Sequence, residues 1–426
     1  MEMWREVKSQ STMTRSGGPA VLISHPTGNQ NVRNALGSLA EHGMLAEFWT
    51  TIAWDPHSAW NHLLPAGLCA QLARRSYVEA PSNRIKSVPW REMVRLGLRS
   101  APLLRALTSG EGLFSVIGMY RHFDGEVAKR LPHVSADAVY AYEGGALQTF
   151  RQARKLGIRT IYEQPSSYWY WVRNLLSEEA ARCPEFAGLL PNLKDSSLHL
   201  AWKDEELALA DYVIVPSDHV RRTLAGVVPM EKIRVINYGA PAVRGEKRVS
   251  LDRRQPLKVL FVGGLTQHKG IGYLLDAVDR LGSQVELTLV GRRFGTHARV
   301  DDACNRWRWF ESLPHSRVLE IMRTEADVLV LPSFGEGFGL AISEALACGV
   351  PVIITPNVGA SDMVVNGREA FVVPVASSEA IADRLLLLNR DRELLSAMSI
   401  QAQATAAQKS WESYRATWAN LVRELC

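Results

Sequence analysis

The sequence predicts an α/β protein with two domains, each built on a parallel sheet. Short apolar runs alternate with helical patterns along the chain, which is typical of parallel βα units. With 426 residues, 46% of them hydrophobic, the chain is long enough to bury two separate cores. The segment Pro241–Pro256 is rich in Pro, Arg and Lys and poor in large apolar residues, so it predicts the linker between the two domains.

Each half of the chain contains five candidate strands. Those of the first half are Ala20–Ser24, Glu47–Thr51, Ala138–Tyr142, Thr160–Glu163 and Tyr212–Pro216. Those of the second half are Lys258–Val262, Glu286–Val290, Asp327–Leu331, Val352–Thr355 and Ala370–Val373. The final stretch, Glu379–Cys426, has a helical pattern that includes the aromatic residues Trp411, Tyr414 and Trp418.

The composition predicts a cytoplasmic protein without a membrane-spanning segment. No run approaches the roughly 18 apolar residues that indicate a spanning helix. The segment Met1–Lys8 carries acidic residues and lacks an apolar core, so it is not expected to be a secretory signal. The cysteines are odd in number and lack the spacing of metal sites or disulfides, which favours a reducing compartment. These five residues are Cys69, Cys183, Cys304, Cys348 and Cys426.

Basic residues cluster in the segment Arg84–Arg105, although the net charge of the whole chain is only +5. The basic residues are Arg84, Lys86, Arg91, Arg95, Arg99 and Arg105, and they alternate with Trp90 and several leucines. Only Glu92 opposes them, and Pro102 interrupts the pattern near its end. This predicts a basic amphipathic helix that binds an anionic membrane surface or an anionic acceptor. The alternative is a surface helix packed on its own domain; a nucleic acid partner is not expected, because no nucleic-acid-binding motif accompanies the basic residues.

The most informative motif lies in Pro332–Pro351, where a glycine-rich turn joins an apolar strand to a helix. The free N–H groups and positive dipole end of such a helix suit a phosphate. Glu336 and Glu344 add two carboxylates, which can accept hydrogen bonds from hydroxyl groups. A nucleotide-sugar, with a diphosphate between two hydroxyl-bearing rings, satisfies both features. The alternative is an ordinary strand–turn–helix whose glutamates are solvated.

This motif resembles the E-x7-E signature of the family 4 retaining glycosyltransferases. The resemblance rests on Glu336, Gly337-Phe338-Gly339 and the sequence Glu-Ala-Leu-Ala-Cys-Gly-Val-Pro-Val that begins at Glu344. It covers Leu257–Pro374 well and the rest of the chain more loosely. It implies the GT-B fold: two facing Rossmann-like domains with a C-terminal helix that crosses back to the first domain. The corresponding boundaries are 18–240 for the acceptor domain, 257–405 for the donor domain and 406–426 for the crossing helix.

A second glycine turn, at Gly263–Gly270, follows the first strand of the second half. Its lysine, Lys269, can offset the charge of a diphosphate, and it matches the lysine of the family's donor loop. The loop departs from the family at Gly264, where many members carry arginine, and at His268, where relatives with Gly-Gly often carry arginine. The contact with the donor that this arginine would make could come from His268, and that contact would then depend on pH. It could instead come from Arg292 or Arg293.

The first domain carries further candidates after its first strand. Gly28 matches a family glycine loop that faces the donor phosphate and the acceptor, and Asn29, Asn31 and Arg33 are polar candidates beside it. Asn29 and Arg33 are expected on the acceptor side. The alternative is a plain helix N-terminus capped by Asn31.

Two strand ends depart from the family pattern. Tyr142 stands where members frequently carry histidine, and Glu163 lies in Tyr162-Glu163-Gln164-Pro165, where many relatives have Thr-x-His. Glu163 thereby becomes a candidate catalytic residue facing the acceptor, with Tyr142 beside it on the acceptor side. The alternative for Glu163 is a structural carboxylate at the strand end.

Aromatic residues are concentrated in Ser166–Trp171, which contains four in succession. Aromatic faces stack well on sugar rings, although packing in a core or interface is the commoner role of such residues. Both roles remain open from the sequence.

The resemblance implies a retaining glycosyltransferase that moves a hexose-type sugar from a nucleotide-sugar, most simply a UDP-sugar. Lys269 and the N–H groups of Gly337–Gly339 are expected to stabilise the leaving diphosphate, with Phe338 and Leu340 among the donor contacts. Glu344 is expected to hold the ribose, and Glu336 the transferred sugar. The chain contains no Asp-x-Asp motif, which agrees with a site that needs neither a metal nor another cofactor.

The expected acceptor is a glycan or a lipid-linked glycan of polysaccharide biosynthesis. Placement at the inner membrane surface would suit a lipid-linked acceptor. Two alternatives to a transferase are retained: a non-catalytic donor-binding subunit of another transferase, and a nucleotide-sugar epimerase of the same architecture.

Overall fold

The computed structural model describes residues 18–56, 58, 66–100, 102–190, 193, 195–243, 245, 247 and 249–426. Within this part of the chain there are two sheets. The first has seven strands in the order β3-β2-β1-β4-β5-β6-β7 and the second has six in the order β10-β9-β8-β11-β12-β13. Strand order that runs outward in both directions from a central pair is the doubly wound α/β arrangement.

The strands of the first sheet are β1 (Val21–Ser24), β2 (Leu45–Thr50), β3 (Ile85–Ser87), β4 (Ala138–Tyr142), β5 (Arg159–Glu163), β6 (Tyr212–Val215) and β7 (Ile233–Val235). Those of the second sheet are β8 (Leu257–Val262), β9 (Val285–Val290), β10 (Arg308–Phe310), β11 (Val328–Leu331), β12 (Val352–Ile354) and β13 (Ala370–Val372). The central strands β1, β4, β11 and β12 are buried along their whole length. The registered pairs are parallel, and burial on both faces explains why these strands are continuous apolar runs.

The helices between residues 30 and 209 are α1 (Gln30–Glu41), α2 (Ala66–Ala73), α3 (Trp90–Ser100), α4 (Val116–Arg130), α5 (Leu147–Leu156), α6 (Trp169–Arg182) and α7 (Ser197–Leu209). Those that follow are α8 (Asp218–Thr223), α9 (Ile271–Leu281), α10 (Ala298–Arg306), α11 (His315–Glu325), α12 (Leu340–Ala347), α13 (Ser378–Arg390), α14 (Arg392–Gln408) and α15 (Trp411–Leu425). No helix in the described ranges combines the length and the apolar character that crossing a membrane would require. The predicted absence of a secretory signal concerns Met1–Lys8, which lie outside the described residues.

All ten predicted strands are present, with ends that differ by up to two residues, and the predicted α/β class with two parallel sheets is confirmed. The sequence analysis missed β3, β7 and β10. Each has only three residues and lies at an edge of its sheet. A short edge strand pairs on one side only and needs no long apolar run, so it leaves little pattern to detect.

The chain forms two compact units. The first comprises the described residues up to Ala141 together with Gln148–Thr160 and Trp418–Cys426, and the second comprises Tyr142–Leu147 and Ile161–Thr417. The described residues of the predicted linker, 241–256, form no helix or strand. The domain boundaries at 18–240, 257–405 and 406–426 stay a prediction.

The last helix, α15, ends within the first unit, as the crossing-helix prediction requires. Trp418 is fully buried there, with its ring centroid 4.6 Å from that of Tyr140 in β4. Arg159 also donates a hydrogen bond to the carbonyl of Leu425. The chain therefore returns to its first unit at its C-terminal end.

The prediction of one helix through Arg84–Arg105 is wrong in extent. The helix α3 begins at Trp90 after Pro89 and ends at Ser100 before a short 3-10 turn, whereas Ile85–Ser87 pairs with β2 as the edge strand β3. Proline at the helix start and again after its end explains these limits, because its ring fixes φ and removes an N–H donor.

Helix α3 buries its charged side. Glu92 is fully buried, and its carboxylate lies 2.6 Å from Arg95 Nε and 2.9 Å from Arg75 Nη2. On the opposite side, Trp90 is 52% exposed, and Met93 and Val94 are also exposed. The helix thus exposes Trp90, Met93 and Val94, whereas Leu96 is buried in a cluster with Ile52 and Leu72.

Candidate active site

The turn between β11 and α12 is built around Gly339. Its φ of +89° lies in the left-handed region that favours glycine, and the residue forms the N-cap of α12. The backbone of Glu336 is fixed beside this cap, because its N–H donates to Asn357 O at 2.9 Å and its carbonyl accepts from Gly359 N at 3.0 Å. The predicted strand, glycine turn and helix N-terminus are therefore present, with the Glu336 side chain held at the turn.

Lys269 and Glu336 form an ion pair through Lys269 Nζ and Glu336 Oε2. The Lys269 and Glu336 side chains are 24% and 21% exposed to solvent, and both line the same cleft. Burial lowers the pKa of Lys269 to about 8. The structure therefore unites the lysine and the first glutamate that the sequence assigned to the donor site.

Direct hydrogen bonds hold the two glycine loops together. Phe334 N donates to His268 O at 2.9 Å, and His268 Nε2 donates to the carbonyl of Gly335 at 2.5 Å. Gly270 has a φ of +73°, and a Cβ there would lie 2.2 Å from the carbonyl oxygen of Pro332. The loops are packed backbone against backbone, which fixes Lys269 relative to the E-x7-E turn.

His268 is unsuited to act as a permanent cation. Burial and the neighbouring Lys269 lower the pKa of His268 to about 4, so the imidazole is neutral at pH 7. Arg293, one of the alternatives, lies 2.7 Å from Asp301 and stacks over Trp309. The residue that replaces the usual donor-loop arginine stays a prediction. The one N–H of a neutral His268 is donated to the Gly335 carbonyl, so its free ring nitrogen, Nδ1, can only accept a hydrogen bond.

The Phe294 ring lies directly beside Gly264. A Cβ at Gly264 would lie 2.7 Å from the Phe294 ring. An arginine at this position would require that ring to move. In this structure, Phe294, which follows β9, thus occupies the space beside Gly264.

Gly337 lies against protein backbone. A Cβ there would come within 1.9 Å of the carbonyl oxygen of Pro165, and the Gly337 carbonyl accepts from Ser217 Oγ at 2.8 Å. From the sequence, the N–H of Gly337 is expected to stabilise the leaving diphosphate, whereas in the structure the close neighbour of this glycine is the Pro165 carbonyl. Phe338 is buried against Tyr238, and Leu340, the first residue of α12, is half-buried.

Glu344 has a partner that the sequence analysis missed. His315, the first residue of α11, lies with Nε2 2.8 Å from Glu344 Oε1. Glu344 is 8% exposed, and the contact with its carboxylate raises the pKa of His315. Glu344 is not among the residues that line the cleft of Lys269 and Glu336. A lone histidine far along the chain gave no signal for this pairing.

The candidates after β1 are engaged in the structure of the first unit. Gly28 has a φ of +62°, and its N–H donates to His25 Nδ1 at 2.7 Å. Asn29, and not Asn31, caps α1 by accepting from Val32 N at 3.1 Å. This corrects the capping residue expected in the alternative interpretation.

Arg33 is occupied by the segment that follows α2. Its guanidinium donates to the carbonyls of Ser76 and Arg74 at 2.6 and 2.8 Å and pairs with Glu79 at 3.1 Å. It also lies over the ring of Tyr77. These contacts favour a structural role, and the acceptor-side assignments of Asn29 and Arg33 stay predictions.

The strand-end candidates are also buried. Glu163 is fully buried and accepts from Tyr238 Oη at 2.6 Å, and Tyr142 is 3% exposed. Burial and this hydrogen bond favour the structural alternative for Glu163. Its catalytic assignment stays a prediction.

The cleft of Lys269 and Glu336 is lined in part by residues that were not selected as site candidates from the sequence. They are Glu143, Val172, Arg173, Asp195, Leu200 and Lys203. The cleft is also lined by Ser166, Ser167 and Trp169 of the aromatic segment singled out in the sequence, and by His268, Lys269, Gly335, Glu336 and Gly337. Glu143 directly follows β4, a position where ligands commonly bind in parallel sheets, so the strand end offered a usable signal. Lys203 and Arg173 lie within helices, and no sequence pattern pointed to them.

The cysteines and the acidic residues suggest no metal centre. All five cysteines are free thiols. Among the described residues, no group of three or more His, Cys, Asp or Glu side chains is arranged to hold a metal ion. Independence from a metal stays a prediction about the reaction.

Comparison with known proteins identifies the second half of the chain. Residues 243–405 match the family described as glycosyl transferases group 1. The putative colanic acid biosynthesis glycosyltransferase WcaL of Salmonella typhimurium is 28% identical over 198 residues, which are 42% of this chain and 48% of that protein. The chain spans about half the length of the curated relatives that it matches.

Solved structures share the fold over nearly the whole chain. Sucrose-phosphate synthase from Thermosynechococcus elongatus has a TM-score of 0.67 and 19% identity, covering 96% of this chain and 99% of that one. Anabaena HepE in complex with UDP and glucose has a TM-score of 0.63 and 16% identity, covering 95% and 100%. These likenesses confirm the predicted GT-B fold. Over residues 243–405, this chain is thus similar to the glycosyl transferases group 1 family.

Proposed function

We propose that this protein is a retaining glycosyltransferase that moves a hexose-type sugar from a UDP-sugar to a glycan or lipid-linked acceptor. The observation that carries the proposal is the cleft in which the Lys269 ammonium meets the Glu336 carboxylate beside the N-terminus of α12. This combines groups suited to a diphosphate with a group suited to sugar hydroxyls. The family match over residues 243–405 supports the transferase class.

The difficult event in such a reaction is departure of the diphosphate from the anomeric carbon. Lys269 and the N–H groups at the start of α12 would stabilise the charge that develops on the leaving oxygens. Glu336, whose backbone is fixed by Asn357 and Gly359, would orient the transferred sugar through its hydroxyls. The acceptor oxygen forms the new bond to the anomeric carbon on the same face, and its proton passes to the leaving phosphate oxygen.

We assign the nucleotide to Glu344, with His315 as the residue that positions its carboxylate. One carboxylate oxygen bonded to His315 leaves the other to accept from ribose hydroxyls. The choice of uridine draws on the likeness to HepE, whose structure contains UDP. No metal or other cofactor is required in this scheme.

The proposal is tested by measuring release of nucleoside diphosphate from UDP-, GDP- and ADP-sugars, with and without glycan acceptors. Release of UDP with formation of an α-configured glycan from an α-configured donor, unchanged in excess EDTA, is the expected result. Sugar interconversion without UDP release would instead identify an epimerase. Donor binding without either reaction would identify a non-catalytic subunit, and a strict need for Mg²⁺ or Mn²⁺ would contradict the metal-independent scheme.

We further propose that the protein works in the cytoplasm as a peripheral membrane protein. The support is α3, which exposes Trp90, Met93 and Val94 while Arg91 and Arg99 lie on the same helix. Exposed apolar side chains beside basic residues suit the boundary between anionic headgroups and acyl chains. Membrane binding would suit a lipid-linked acceptor.

A further inference from the structure

The cleft contains a second charged group that the proposed transfer chemistry leaves unused. Lys203 Nζ lies 3.3 Å from Glu143 Oε1 and 4.0 Å from Asp195 Oδ2. The side chains of Glu143 and Lys203 are only 12% and 16% exposed to solvent, and both line the cleft. Burial removes water from these charges, and their mutual attraction offsets that cost only in part. A ligand that restores hydrogen bonds to both would therefore be favoured.

Glu143 is held in place by the structure around it. Ser166 Oγ donates to Glu143 Oε2 at 2.8 Å. The following residues are anchored by the buried Glu206 of α7, which accepts from Gly144 N at 2.7 Å and from Ala146 N at 2.8 Å. Lys203 belongs to the same helix, so α7 supplies the cation and also fixes the loop that carries the carboxylate. Such preorganisation lowers the entropy lost when a ligand binds.

An aromatic wall lies beside the ion pair. The Trp169 indole N–H donates to Asp204 Oδ1 at 2.7 Å, which fixes the ring where it lines the cleft. Arg173 stacks over Trp169 and donates through Nη2 to the carbonyl of Asp195 at 3.0 Å. The cleft thus offers an apolar surface next to paired donors and acceptors.

We propose that this part of the cleft, formed by Glu143, Trp169, Arg173, Asp195 and Lys203, binds an uncharged sugar ring of the acceptor. The inference rests on the proposed function and names the chemistry of its acceptor. A sugar ring has apolar C–H faces for the aromatic wall and hydroxyls that both donate and accept, so one hydroxyl can donate to Glu143 while another accepts from Lys203. The two carboxylates and two cations carry no net charge. With this balance, no surplus positive charge would offset the cost of removing water from a phosphate or carboxylate on the ring, so an uncharged ring is favoured.

The test measures binding of simple sugars to the full chain by NMR titration, with and without UDP. The probes are methyl glucoside, glucuronic acid and glucose 6-phosphate at equal concentrations. Methyl glucoside should bind at least tenfold more tightly than either anion. Glu143→Gln and Asp195→Asn should each weaken methyl glucoside binding at least fivefold while changing the Kd for UDP less than twofold.

Glu178→Gln serves as the matched control, because Glu178 is an exposed carboxylate on the helix that carries Trp169 and Arg173. It should leave both affinities unchanged. Retained UDP binding and an unchanged melting temperature show that the variants fold. Should Glu143→Gln fail to fold, Asp195→Asn, whose carboxylate is 42% exposed, provides the same comparison.

Two results would overturn the inference: equal or tighter binding of the anionic sugars, or normal methyl glucoside binding in both variants. Failure of the unmodified chain to bind any nucleoside diphosphate is a separate result. It would contradict the proposed function, whereas the sugar titration without UDP would still report on this part of the cleft.

Discussion

Lys269 and Glu336 are the residues on which the proposed chemistry depends most directly. They reach each other only because the loop Gly263–Gly270 and the turn after β11 are packed backbone against backbone. A buried ammonium at this position is more easily deprotonated than a surface lysine, since burial lowers the pKa of Lys269 to about 8. The charge aimed at the diphosphate is therefore sensitive to pH.

Lys269→Ala should lower turnover by roughly a hundredfold, comparable to removing one stabilising donor from an oxyanion site. In the unmodified enzyme, the ammonium is charged below its pKa and loses its proton as the pH rises. We therefore expect kcat/KM, which reports on the free enzyme, to fall as the pH rises through about 8.

Lys269→Arg is the control for this prediction, because a guanidinium remains charged at every accessible pH. The variant should lose activity through altered geometry and also lose the alkaline decline. A decline near pH 8 that persists in Lys269→Arg would assign it to another group. Initial rates between pH 6 and pH 10 supply the measurement.

Glu336→Ala and Glu344→Ala should fail in different ways. Removing the proposed sugar contact of Glu336 should mainly lower kcat, whereas removing the proposed ribose contact of Glu344 should mainly raise the Kd for UDP. A hydrogen bond to a charged group is worth about 1.5–3 kcal/mol, so each effect should be roughly tenfold to a hundredfold. Calorimetry with UDP and steady-state kinetics separate the two, and kinetics like those of the unmodified enzyme in both variants would remove the assignment.

Among the individual elements, α3 has an unusual distribution of side chains. A surface helix normally turns its charges to water, but here Glu92 and Arg95 are buried with Arg75, and Trp90 and Met93 are exposed. The ion pairs satisfy the buried charges, and they hold the helix to the first unit together with Leu96, which packs in a buried cluster with Ile52 and Leu72. Its apolar surface remains available for a bilayer.

We expect the protein to co-sediment with anionic liposomes at low salt and to be released by high salt. Each basic residue near an anionic surface contributes about 1 kcal/mol, and this contribution is screened as ionic strength rises. Arg91→Glu with Arg99→Glu should abolish binding, and Trp90→Ser should weaken it through lost insertion of the ring.

Arg95 is unsuitable for this test, because its guanidinium is buried against Glu92 and its replacement would disturb the fold. Glu412→Gln, an exposed substitution on α15, provides a control that should bind vesicles normally. The membrane proposal would be contradicted if the protein did not bind at low salt, or if the arginine substitutions did not affect binding. In either case α3 would have only a structural role, and an acceptor that is not membrane-bound would be favoured.

For the whole molecule, the return of α15 to the first unit links the two ends of the chain. Trp418→Ala removes a fully buried indole that packs against Tyr140, and such substitutions typically cost about 3–5 kcal/mol. The urea midpoint of the variant should fall accordingly. Glu412→Ala on the exposed side of the same helix should change it little, and equal midpoints for both variants would show that α15 adds little to stability.

The sequence alone determined the fold class, the ten principal strands and the helical C-terminal segment. Their patterns are local: β4 and β11 are continuous apolar runs because both of their faces are covered, and the helices repeat with their own period. The glycine turn that caps α12 was likewise visible, because Gly339 requires a positive φ. Edge strands such as β3 were not predicted, because three residues are too few to show a repeating hydrophobic pattern.

The tertiary structure decided which side chains meet. In the folded chain, Glu344 pairs with His315, and the buried Glu163 accepts a hydrogen bond from Tyr238. Glu143 and Lys203 line the same cleft as Lys269. These pairings connect residues far apart in the chain, and a single sequence carries no record of a contact made across such a distance. The sequence could therefore establish the backbone framework and the donor motif, because each is encoded over a few adjacent residues. The burial that lowers the pKa of Lys269 arises only when separate segments pack together. The same is true of the ion pair between Glu143 and Lys203.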